Sequence, residues 1–231
     1  MKSPASFLEV FKNPGAEFRG KPFWSWNGKL EKSELLRQVH ILKEMGMGGF
    51  FMHSRMGLVT EYLGKEWFEL INACAEEGEK LGLEAWLYDE DRWPSGLAGG
   101  IVTENPKYRQ KLLRLKICDP KDYVPHERTV GAWLCRLEND LDVFELEKMA
   151  DPSKPFSKSE IEGAGGKKVL AFNVELAGNH SFFNGFTNLD CLSLEATEEF
   201  IRVTHEAYKT HCGHHFGKAI KGIFTDEPNR G

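Results

Sequence analysis

The chain has 231 residues, 41% of them hydrophobic and 28% charged, with 30 Lys and Arg against 35 Asp and Glu for a formal net charge of -5. That composition excludes a disordered or fibrous chain, and the mild acidity excludes a general pull toward nucleic acid or anionic lipid. No apolar run approaches the roughly 20 residues of a membrane span, and the start, Met1-Lys2-Ser3-Pro4-Ala5-Ser6-Phe7, lacks the apolar core of a signal peptide, so a cytoplasmic location is expected.

In chain order, Phe23-Trp24-Ser25-Trp26 predicts a short strand. Leu35, Val39, Leu42 and Met45 then recur at helical spacing on one face, and Gly46 supplies a stop. Gly49-Phe50-Phe51-Met52 is an apolar run suited to a buried parallel strand. Trp67, Ile71, Cys74, Gly78 and Leu81 share one side of a second helix that ends at Gly82, and Glu84-Ala85-Trp86-Leu87-Tyr88 is strand-like again. Strand and helix alternating through short connections predict βαβ units and a parallel sheet.

From Pro106 the rhythm changes. Three β segments, 112–117, 132–137 and 168–174, are separated by Asp151-Pro152-Ser153-Lys154-Pro155 and Gly163-Ala164-Gly165-Gly166, which are turn punctuation. Residues 106–188 therefore predict a small antiparallel β insertion after the third strand. Residues 195–211 return to helical spacing through Phe200, Val203, Thr204, Ala207 and Tyr208, and 220–225 form a fourth strand. The division expected is 1–105 for the first βα units, 106–188 for the insertion, and 189–231 for the third helix and fourth strand. A closed (β/α)8 barrel needs eight strands and about 250 residues. Four βα strands fit either an open sheet or the first half of a TIM-like barrel, the last strand then covered either by more chain or by a partner copy.

Polar residues cluster just after the strands: Trp26 and Asn27; His53, Ser54 and Arg55; Asp89 to Gly96; and Asp226-Glu227-Pro228-Asn229-Arg230. In parallel α/β folds the carboxyl ends of the strands share one rim where ligands bind. Asp226 and Glu227 read either as a solvated acidic turn or as carboxyls whose partial burial and like-charge neighbour favour the protonated form needed to feed a leaving oxygen. Asp89, Glu90, Asp91 and Arg92 suit sugar hydroxyls or a hard cation, or else a salt-bridged loop. Trp93 is either a sugar platform or a plug for its loop. His53 and Arg55 point the same way if extended, to bind a hydroxyl or orient an acid; alternatively His53 is buried on a backbone carbonyl. Trp24 is expected in the core and Trp26 on the cleft wall. His211-Cys212-Gly213-His214-His215 reads as a solvated, dipole-favoured helix end rather than a metal site. Cys74, Cys118, Cys135, Cys191 and Cys212 contain no CxxC and are expected to be free thiols filling the core.

The strings PFWSWNG (22–28), MGMGGFFMHSR (45–55), WLYDEDRWPSG (86–96) and GIFTDEP (222–228) resemble the start of the catalytic domain of bacterial α-L-rhamnosidase-like glycoside hydrolases of the family 106 type. The resemblance implies a (β/α)8 barrel, O-glycosidic bond hydrolysis on an oligosaccharide or glycoside, and Glu227 as general acid. It implies a sugar subsite lined by Asp226, Asp89, Glu90, Asp91 and Arg92, with Trp26, His53 and Arg55 completing its wall. It allows a calcium ion but fixes no ligands for one. Hydrolysis normally takes a second carboxylate, which the family draws from a later strand, so the chain alone is expected to be inactive. The alternative is a catalytically incomplete, carbohydrate-binding half-barrel that dimerises. No nucleic-acid or membrane partner is expected.

Overall fold

The structure, a computed structural model, describes residues 7–139 and 142–229; Arg230 and the 1–6 start discussed above lie outside them. The elements are α1 (Phe7–Lys12), β1 (Phe23–Gly28), α2 (Lys32–Glu44), β2 (Gly49–Leu58), α3 (Lys65–Leu81), β3 (Glu84–Tyr88), β4 (Lys111–Cys118), β5 (Thr129–Glu138), β6 (Asp142–Lys148), α4 (Lys158–Gly163), β7 (Lys168–Leu176), α5 (Leu194–Val203), α6 (His205–Cys212) and β8 (Ile220–Phe224). No helix among the described residues is long and apolar enough to cross a membrane. Two compact units result, one from the residues up to Arg109 together with those from Gly178 onward, the other from Gln110–Ala177.

The first unit is built on a parallel sheet in the order β1-β2-β3-β8. The registers Trp24↔Met52, Met52↔Leu87 and Leu87↔Ile223 align one row of side chains across all four strands. Each successive strand is added on the same side of its predecessor, so right-handed crossovers put α2, α3 and α6 on one face. That face holds the core: Trp24, Trp26, Phe50, Met52 and Leu87 from the strands meet Val39 of α2, Trp67 and Ile71 of α3, and Tyr208 and Cys212 of α6. Trp26 packs edge-on against Trp24 at 5.3 Å and Trp67 at 5.2 Å; such pairs add about 0.5–1.5 kcal/mol each beyond the area they bury. Gly82, left-handed at φ 68°, ends α3 and releases Leu83 directly into β3.

Residues of the opposite parity make the other face of the sheet. Phe23, Phe51, Trp86 and Phe224 touch one another there, with ring centroids 5.0–5.8 Å apart. Gly222 has no side chain because Trp86 lies across it: a Cβ would sit 2.5 Å from the indole ring. Among the described residues no helix of the same unit covers this aromatic face, and Phe23 is 51% exposed.

The expected single helix over 195–211 is two. Thr204 turns its hydroxyl onto the Phe200 carbonyl at 2.7 Å, and α6 restarts at His205; a hydroxyl bonding back in this way bends helices. α1 and α4 carried no clear periodic signal. α4 is nevertheless marked by a capping box in which Ser157 and Glu160 bond each other's backbone N–H.

The second unit is an antiparallel sheet in the order β4-β7-β5-β6. It has its own small core of Tyr123, Ala132, Val169 and Ala171. β6 went unrecognised in the sequence although Phe144-Glu145-Leu146-Glu147 alternates; it is a short strand, and all its side chains are exposed. Residues 178–188, expected in the insertion, belong to the first unit instead. They form a tight turn in which Asn184 and Gly185 both take positive φ, closed by a bridge between His180 and Phe186.

Candidate functional site

The loop after β3 organises the rim. Glu90 is fully buried, and its carboxylate accepts four backbone N–H groups: Asp91 (2.9 Å) and Gly99 (2.5 Å) on Oε1, Gly96 (3.0 Å) and Ala98 (2.8 Å) on Oε2. Burial pushes this carboxyl up to about 8, against the pull of the four donors. The loop curls tightly enough for this only because Gly99 takes φ +66°, with the Asp91 side chain 3.1 Å from where a Cβ would stand. Glu90 is therefore turned into the protein. The expectation that it lines a sugar subsite is corrected: both its oxygens are consumed by the loop that it holds in place.

Asp89 is equally enclosed. It accepts the hydroxyls of Ser95 and Thr225, each at 2.5 Å, with His205 Nε2 3.5 Å away. Burial raises its pKa, opposed by those two hydroxyls. Ser95 also accepts the Asp226 backbone N–H, and its own N–H donates to the Asp226 carbonyl, both at 2.8 Å. Asp89 thus joins the ends of β3 and β8 through short side-chain bonds. Asp91 accepts Ser54 at 2.7 Å and Asn184 at 2.8 Å, with Arg92 Nε 3.6 Å away.

At the outer edge, Glu227 is exposed, so the burial expected for this carboxylate is absent. Its Oε2 accepts the Trp93 indole N–H at 3.2 Å, and Phe182 packs edge-on to Trp93 at 6.2 Å. Asp226 is half-buried and accepts the Tyr88 hydroxyl at 3.1 Å. The ring of Tyr88 stacks on His53 at 3.7 Å. His53 is only 3% exposed, and its Nδ1 has no hydrogen-bond partner; burial first, then Arg55, lower its pKa to about 4. It is a neutral packing ring here, with backbone hydrogen bonds at His53 and Ser54 opposing the depression. Arg55 is exposed two residues further along β2.

The structure thus brings His53, Asp89, Asp91, Arg92, Trp93, Asp226 and Glu227 to one rim at the carboxyl ends of β2, β3 and β8. Trp26 is excluded. The β1 pleat sends it with Trp24 to the helical face, where it is fully buried, so the cleft-wall expectation is corrected. Tyr88, Ser95, Thr225, His205, Phe182 and Asn184 were missed. The Asn184-Gly185 pair is a turn signal that could have marked the last two; for the others only the fold makes them neighbours. Two cavities border the rim. One of about 330 Å³ is lined by residues including Tyr62, Asp91, Arg92 and Asn184, and one of about 400 Å³ by residues including Ser95, His205, Thr225 and Pro228. Both fall at the small end of ligand pockets.

The rim acids do not fit a calcium ion. Calcium takes six to eight oxygen ligands, whereas Asp89, Glu90 and Asp91 already accept hydrogen bonds on both oxygens.

No known protein family matches the chain, and no curated protein matches it. Among solved structures it is similar to the rhamnosidase from Novosphingobium sp. PP1Y, with 18% identity over 57% of this chain and a TM-score of 0.38. The chain spans 15% of that enzyme's length.

Proposed function

We propose that the first unit is half of a (β/α)8 barrel from a glycoside hydrolase of the α-L-rhamnosidase-like type, with Glu227 as the general acid. Two features support the barrel half: the one-directional strand order and the aromatic face left without helices. The observation that carries the function is the exposed Glu227 carboxylate at the end of β8, steadied by the Trp93 indole beside an aromatic wall. Trp93 and Phe182 offer flat apolar surface to a sugar ring, and Arg92 and Asn184 offer polar contacts next to it. In hydrolysis the glycosidic C–O bond breaks, Glu227 gives its proton to the leaving oxygen, and water adds to the anomeric carbon with a second carboxylate's help. The other rim acids are held inward, and Asp226 is bonded to Tyr88, so among the described residues none faces Glu227 as that second group. The chain alone should bind glycosides without turning them over. Titration with an aryl α-L-rhamnoside tests this: saturable binding and no aglycone release are expected. Absence of binding overturns the sugar site, and turnover abolished by Glu227→Gln overturns the half-site while keeping the acid.

The aromatic sheet face favours a second reading, a carbohydrate-binding half-barrel completed by a second copy. Light scattering at high concentration decides it: a dimer supports the reading, and a clean monomer rejects it.

A further inference from the structure

Outside the rim, one group of side chains converges without a role in the reading above. We infer that Glu76, His214 and His215 form a binding site for a borderline divalent transition metal ion of the zinc type, tying α3 to the turn that precedes β8. Among the described residues this is the one trio of potential ligands whose donor atoms all lie within 4.8 Å of one another. A tetrahedral ion with bonds of about 2.0–2.1 Å to nitrogen and oxygen spaces its ligands roughly 3.4 Å apart. Glu76 and His214 are exposed and free to close that difference by rotation.

A second observation is independent of that spacing. His215 is only 6% exposed, and its Nε2 is buried with no hydrogen-bond partner. Histidines buried for packing normally bond a carbonyl or water, because an unmet ring nitrogen costs about 1–3 kcal/mol. The solvated helix end expected from the sequence is thus corrected for this residue. His211 is also not a free imidazole but stacks on Phe68 at 4.2 Å.

The His214 ring lies 4.0 Å from the His215 ring, so the two imidazoles face the same spot. Glu76 and Glu79 bring negative charge to it, while Lys218 opposes them. Two imidazoles and one carboxylate suit zinc, cobalt, nickel or copper, and not calcium or magnesium, which take oxygen ligands. Three protein ligands leave a fourth position open to water or another small ligand. The inference does not depend on the glycosidase reading, because the trio shares no residue with the rim.

Cobalt(II) and zinc titration of the full chain tests it. Expected is a 1:1 cobalt complex with tetrahedral visible bands and no sulfur-to-metal charge-transfer band, displaced by zinc. Glu76→Gln and His214→Ala change exposed side chains, so the fold is retained; each should weaken zinc affinity at least tenfold, while His126→Ala, far along the sequence in the second unit, changes nothing. Absence of saturable binding, a thiolate band, or equal affinity in Glu76→Gln and His214→Ala would overturn the inference.

Discussion

The Trp93 indole donates to Glu227 Oε2 at 3.2 Å, joining the loop after β3 to the loop after β8, whose residues lie 134 positions apart in the chain. An aromatic plane and a carboxylate held edge to edge is an arrangement that can receive a sugar ring and protonate its exocyclic oxygen. Trp93→Phe keeps the plane and loses the donor; Trp93→Ala loses both. Affinity for an aryl α-L-rhamnoside, read by tryptophan fluorescence, should fall slightly in the first and at least about tenfold, or roughly 1.4 kcal/mol, in the second. Equal affinities in all three proteins would remove Trp93 from the site.

Glu90 should matter for stability more than any exposed rim acid. Glu90→Ala strands four backbone N–H donors in the interior, and each unmet donor costs about 1–3 kcal/mol. Glu90→Gln keeps the shape but turns an N–H2 toward donors. Urea unfolding should show at least about 3 kcal/mol lost in the alanine variant, with near-ultraviolet signals from Trp93 collapsing in both. A loss under about 1 kcal/mol would show that the loop is held by something else.

His53 predicts a pH dependence. Its folded pKa of about 4 lies below the unfolded value of 6.5, so the folded state prefers the neutral ring. The corresponding stability is fully present above pH 6.5 and drains away as pH falls toward 4, by an amount on the order of 3 kcal/mol. His53→Phe, which can still stack on Tyr88, should flatten that slope between pH 6.5 and 4.5. Parallel slopes in the two proteins would show that His53 is protonated at no cost.

Gly222 should resist even one methyl group. A Cβ there meets the Trp86 ring at 2.5 Å, and overpacking of this kind costs about 1–3 kcal/mol. Trp86→Leu should recover much of the loss from Gly222→Ala, giving a favourable coupling in a double-mutant cycle. Additive effects would mean that the two positions do not clash.

Much of the architecture was legible in the residues. Helical spacing in α2 and α3, apolar runs in β2 and β3, and glycines at helix ends announce a βα rhythm because burial on one face demands those periods. The placement of acids just past strand ends was equally visible, since parallel strands point one way. What the sequence could not say is where each acid turns. Asp89, Glu90 and Asp91 are consecutive and chemically alike, yet one joins two strand ends, one holds a loop by four amides, and one meets a turn more than ninety residues away. Trp26, two residues from Trp24, follows it into the core because the pleat has period two and helices cover that side. Local pattern determined which elements form. Only tertiary packing decided which polar groups are left facing solvent, because a carboxylate's freedom depends on donors supplied by distant chain.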